Sequence, residues 1–159
     1  MAGCATTAEV IADLQPRIEI IVQEILNGIK EWNVKEINRI VYNYSPSWYE
    51  RTYAFRDKMW DGKITQAGGG SATGEFTYYP ENGYHPSEYG SEKYGVSPGD
   101  DVSEYLADII YEGIAHDIFG HWKTPHNAWK ELIRIVGGSK MRSWINKGAS
   151  KAGLKISWK

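Results

Sequence analysis

The chain has 159 residues, a mass of 18.0 kDa and a net charge of −2. A domain of that size buries about 70% of its unfolded surface, and with 42% apolar and 24% charged residues wholesale disorder is excluded. No run approaches the ~20 apolar residues of a membrane span, and a single cysteine, Cys4, excludes a disulfide or zinc-ribbon scaffold.

The opening, MAGCATTAEV, lacks the basic and apolar regions of a secretory signal, and the lone cysteine suits a reducing compartment. Thr6 and Glu9 have capping-box spacing. Ile11, Leu14, Ile18, Val22, Ile25, Ile29 and Trp32 then step by three or four, one apolar stripe across about six helical turns. Pro16 predicts either a kink or a helix that starts near Leu14, and Gly28 with Asn33 marks its expected end. A second short helix is expected over residues 34–42, stopping before Ser45-Pro46.

Residues 60–101 are rich in glycine and proline. Two short strand-like runs, 63–66 and 75–79, flank a glycine-rich connection and predict a hairpin. A long loop follows, so that Tyr78, Tyr79, Tyr84, Tyr89 and Tyr94 form a tyrosine-rich stretch. Loops of that length in compact domains commonly carry function. Helical patterns return over 102–113 and 127–136, then from a Ser139 cap to about Ala152, with Gly153 closing the helix. Residues 154–158 have the alternation of a terminal strand. The expectation is one α+β domain over 1–159: N-terminal helices, a small antiparallel sheet with the Gly/Tyr-rich loop, and C-terminal helices.

Three patterns bear on function. Aromatics are Trp (7) and Tyr (11) far more than Phe (3), the rings suited to surfaces buried on association or to a polar-tipped core. Charge is asymmetric: from Leu132 onward there are seven basic residues and no acid, which leaves the first 131 residues at −9. Lys140, Arg142, Lys147 and Lys151 make the C-terminal helix basic, a solvated face, a contact for an acidic neighbour, or a surface near DNA. His116, His121 and His126 form the one cluster with metal-ligating chemistry, and would serve a small metal-dependent enzyme. Their spacing of five residues does not share a helix face, and Gly120 and Pro125 favour loop. The run of residues 68–75 lacks the Lys and Ser/Thr of a phosphate loop, and no G-x-S-x-G elbow occurs. Neither catalytic residues nor a cofactor are expected.

Residues 44–52, YSPSWYERT, resemble the Y-x-P-x-x-Y-x-R-T signature of minor virion proteins of tailed bacteriophages, the minor capsid, head–tail joining (connector, neck) or tail-completion group. Tyr44, Pro46, Tyr49, Arg51 and Thr52 are the matching positions. The group usually carries a glycine next, where this chain has Tyr53. The patterns at 102–113, Phe119-Gly120, Ala128-Trp129 and 144–153 follow in the order such proteins show. The resemblance implies a non-enzymatic structural protein, one copy in a homo-oligomeric ring that meets neighbouring head, connector or tail proteins. It would reside in the virion, and in the host cytoplasm during assembly. The tyrosine-rich loop would supply the contacts, the signature either a corner that fixes the helix against the sheet or aromatics at a subunit contact, and the basic helix would meet a neighbour's acidic surface or line the passage used by DNA.

Overall fold

The computed structural model describes residues 6–42, 53–84, 86, 95, 97–112 and 128–158. Within them the chain is α+β: a long N-terminal helix, a two-stranded antiparallel sheet and C-terminal helices. The elements are α1 (Thr7–Ile40), α2 (Ala54–Asp57), β1 (Trp60–Gly68), β2 (Ser71–Tyr78), a 3-10 turn (Pro80–Asn82), α3 (Leu106–Glu112), α4 (Ala128–Val136) and α5 (Ser139–Lys151). They gather into two compact units, each drawn from separate stretches of chain: Met1–Glu31, Gly62–Phe76 and Arg134–Lys159 in the first, Trp32–Asp61 and Thr77–Ile133 in the second. No helix among the described residues is long and apolar enough to cross a membrane.

In the first unit the capping box forms as the spacing predicts. The Glu9 carboxylate accepts from the Thr6 amide at 2.6 Å, and the Thr6 hydroxyl accepts from the Glu9 amide at 3.3 Å. The expected break at Gly28 and Asn33 does not occur; α1 runs on to Ile40, and the predicted second helix is its continuation. The reason is that Gly28 serves packing. A Cβ there would lie 2.5 Å from the Trp144 indole, so the missing side chain admits α5. Gly148 does the same from the other side, where a Cβ would meet Ile21 Cα at 2.8 Å. With Arg17 Nη1 donating to the Ala152 carbonyl (3.2 Å), these contacts make α5 antiparallel to α1. The helix also passes through Pro16, whose ring is exposed; one lost hydrogen bond, about 3 kcal/mol, is offset by the packed turns around it.

The hairpin lies along a second face of α1. Tyr79 N–H donates to the Met59 carbonyl at 2.7 Å, which sets Trp60 across from Tyr78, Gly62 across from Phe76 and Lys63 across from Glu75. Gly62 and Gly74 let the strands rest on Leu26 and Val22, since a Cβ would approach these side chains to 3.0 and 2.9 Å. The strands are longer than the expected 63–66 and 75–79, because Gly68 still belongs to β1 and only Gly69 and Gly70 separate it from β2. The φ values of these three glycines, 152°, 61° and 81°, are open to glycine and closed to most other residues. Gln15 on α1 holds this tip: its amide donates to the Ser71 carbonyl and its carbonyl accepts from the Gly70 amide, both at 3.0 Å.

The C-terminal helix starts with Gly138, not the expected Ser139, in the cap position and without a side-chain cap. It ends as predicted at Gly153, with φ 70°. Gly153 N–H donates to Ser150 O and Leu154 N–H to Ala149 O, the two bonds of a Schellman motif. Residues 154–158 do not form the predicted terminal strand. They are held on α5 instead, where Trp158 Nε1 donates to Asn146 Oδ1 (2.9 Å) and the Arg142 guanidinium lies 5.4 Å above the Trp158 ring.

The second unit is packed around rings. Trp60 stacks on Trp129 at 5.5 Å and meets Tyr78 at 5.0 Å, Phe55 at 5.9 Å and Tyr111 at 6.1 Å. Among the described residues, Ile37, Val41, Ala54, Phe55, Met59, Val102, Ile110, Ala128 and Leu132 are buried with them. The predicted helix at 102–113 begins only at Leu106. Asp101 accounts for the delay: its carboxylate takes both the amide (3.0 Å) and the hydroxyl (2.6 Å) of Ser103, holding the preceding residues in a turn. Helix α4 starts at Ala128, one residue after the expected start.

Candidate association surface

In the second unit, α2 and the 3-10 turn enclose an open depression of about 370 Å³, lined by Ala54, Lys58, Glu81, Asn82, Gly83 and Tyr84. Its geometry follows from local sequence. Pro80 opens the 3-10 turn, which Asn82 N–H closes on Tyr79 O (3.2 Å) and Gly83 N–H on Pro80 O (3.1 Å). Gly83 presses on Met59, whose Cε would stand 2.7 Å from an added Cβ, and this close approach seats the turn on the core. Lys58 follows the last turn of α2, its amide bonded to Ala54 O at 2.9 Å. Lys58, Glu81 and Asn82 are exposed, so the rim carries both signs of charge around one aromatic plate. That plate is Tyr84, 62% exposed.

The structure divides the tyrosine set. Tyr84 stands at the surface, Tyr79 is half-buried, and Tyr78 belongs to the ring cluster. The Tyr78 hydroxyl donates to the Ser103 carbonyl at 2.6 Å, and burial, assisted by the carboxylates of Asp101 and Asp108, pushes its pKa well up. It is a neutral hydrogen-bond donor, unsuited to acid–base work at neutral pH. Burial raises the Tyr111 hydroxyl likewise. Tyr89 and Tyr94 lie outside the described residues, as do Tyr44, Pro46, Tyr49, Arg51 and Thr52 of the signature and His116, His121 and His126. Among the described residues no group of three or more His, Cys, Asp or Glu could hold a metal ion.

The residue that follows the signature is described. Tyr53 has φ 54° and ψ 14°, and among the described residues it alone is a non-glycine with positive φ. A bulky side chain is rare in that region and costs about 1–2 kcal/mol. Contacts hold it there: the Tyr42 ring edge at 5.0 Å, and the Arg56 guanidinium 4.6 Å over the ring. Arg56 is itself fixed by Asp57 and by Asn38 Oδ1 (2.7 Å), and the Asp57 carboxylate raises its pKa chiefly by hydrogen bonding.

The four basic-tail residues are also separated by use, in the first unit. Glu24 on α1 is buried, with its side chain 5% exposed, and carries two lysines from α5: Lys147 Nζ lies 2.5 Å from Oε1, and Lys151 Nζ bonds Oε2. Hydrogen bonds from Lys147 and then Lys151 hold the Glu24 carboxyl below its ordinary range. Arg142 lies on Trp158, and Lys140 is exposed. The basic composition of the C-terminal helix thus serves in part to dock it on α1.

Of the tyrosines expected to make contacts, Tyr84 lies at this depression, and Lys58, Glu81 and Asn82, which the sequence did not single out, line it beside Tyr84. The Pro-Glu-Asn-Gly turn at 80–83 was the available signal. Compared with family models, curated proteins and solved structures, the chain finds no match.

Proposed function

We propose that the chain is a non-enzymatic association module, a copy in the head–tail joining ring of a tailed bacteriophage. The observation that carries this reading is Tyr53. The phage signature that residues 44–52 resemble continues with a glycine, and glycine's usual office is a left-handed turn. Here the same position adopts φ 54° with a tyrosine, its strain offset by Tyr42 and Arg56. The required backbone bend is therefore present although the usual residue is absent, which supports a shared local architecture.

Tyr84 supplies the chemistry of association. An exposed aromatic beside an open depression, ringed by Lys58, Glu81 and Asn82, has the make-up of a binding centre with a polar rim. The partners would be further copies of the chain and adjacent head, connector or tail proteins. The reading is tested in particles. The chain should be found in purified virions produced from the genome that encodes it, and electron cryo-microscopy should place it in a ring between head and tail. Tyr84→Asp should leave the isolated fold intact and reduce incorporation at least tenfold. Particles that assemble and infect without the chain would overturn the reading.

A further inference from the structure

We propose that residues 154–158 of one copy add as a third strand to the β1 edge of a second copy. The inference rests on the association reading above and names a contact for it. Among the described residues the hairpin is a complete two-stranded sheet. Near its base, the register fixed by the Met59–Tyr79 bond turns the backbone groups of Asp61 and Lys63 toward β2, so those of Gly62 and Ile64 point to the outer edge. Among the described residues, no proline or covering strand blunts this edge.

The same unit holds a strand pattern without a sheet. Residues 154–158 read Leu-Lys-Ile-Ser-Trp, apolar and polar in strict alternation, and leave the Schellman turn in a non-helical path. Ile156 is 40% and Trp158 45% exposed. Five extended residues span about 17 Å, the length of β1 from Gly62 to Gln66. Added there with its apolar row on the α1 side, the segment would cover Leu154, Ile156 and Trp158. Lys155 and Ser157 would join the outward row that holds Asp61 and Glu75.

The donor is a second copy because the segment is held away from its own hairpin. The hairpin occupies the Ile11, Gln15, Val22 and Leu26 face of α1, whereas α5 occupies the Arg17, Ile21, Glu24 and Gly28 face. Trp158 rests on Arg142 and Asn146, which lie on the side of α5 turned from α1. Tail to edge is a head-to-tail contact, the kind that closes rings.

The test uses full-length chains in a Cys4→Ser background. One population carries Ser157→Cys and another carries Asp61→Cys, Lys63→Cys or Thr65→Cys. Mixed and mildly oxidised, at least one pair should give a disulfide-linked heterodimer, and Ile156→Asp in the donor should cut its yield at least tenfold while leaving the melting curve unchanged. Amide exchange at Gly62 and Ile64 should slow at least tenfold as chain concentration rises. Copies that self-associate with no cross-link at any of the three positions and no slowing at these amides would overturn the inference and leave the association reading standing. Loss of particle incorporation in Tyr84→Asp alone would bear only on the latter.

Discussion

The unit built on the first part of α1 closes where side chains are missing, and the unit around Trp60 closes where they are largest. Gly28, Gly62, Gly74 and Gly148 bring backbones of α1, α5 and the hairpin together, with Glu24 and its lysines fixing the register. In the other unit five rings fill the space, and the Tyr78 hydroxyl finds the Ser103 carbonyl. Close backbone packing tolerates no added atom, whereas ring packing tolerates no removed one. The two regions therefore fail under opposite substitutions.

Trp60→Ala should produce the largest effect, a loss of about 3–5 kcal/mol in denaturant unfolding, because it empties the centre of the ring cluster. Gly148→Ala adds a single methyl group against the Ile21 backbone and should cost about 1–3 kcal/mol. If Gly148→Ala proved neutral while Trp60→Ala unfolded the chain, the contrast between the regions would collapse. Tyr53→Ala keeps the left-handed strain but loses the ring, so it should be less stable than Tyr53→Gly by about 1 kcal/mol. Equal stabilities would remove the argument that this position has a glycine's conformation.

Glu24 sharpens the comparison through pH. Its folded pKa lies below the ordinary value of 4.5, so its contribution to stability is complete above that value and is lost as pH falls through the lower folded one. Glu24→Gln should cost about 1 kcal/mol at pH 7, since half-exposed lysines are screened, and the cost should vanish in acid. Thermal unfolding across pH 2–7 checks the sign. Tyr84→Ala, at an exposed site, should change stability by no more than about 0.5 kcal/mol.

Local signals were legible in the sequence where one residue type has one physical meaning. Thr6 with Glu9 and Gly153 at a helix end are such cases, and both formed as read. The α+β arrangement followed from the change of period along the chain. Glycine misled where it has two meanings: Gly28 ends a helix in isolation but admits Trp144 in the fold, and only the partner distinguishes them. The strands were undervalued for the same reason, because Gly62 and Gly74 look like interruptions until Leu26 and Val22 lie on them. The tyrosines were harder still. Tyr78 and Tyr84 are alike in sequence, and only Ser103 and the ring cluster separate the interior hydroxyl from the surface plate. Charge had the same ambiguity, since nothing at Lys147 or Lys151 announces a buried acid over a hundred residues away.

The grip of Gln15 on the hairpin tip has a consequence for how the first unit forms. Its amide offers one donor and one acceptor at the spacing of a peptide group, and so stands in for a backbone neighbour that the two-glycine reversal lacks. A reversal made of glycines loses much entropy on ordering and gains little by itself. Its closure is therefore conditional on a formed α1, and the Gly70 amide becomes a built-in reporter whose proton exchanges only when strand and helix part company.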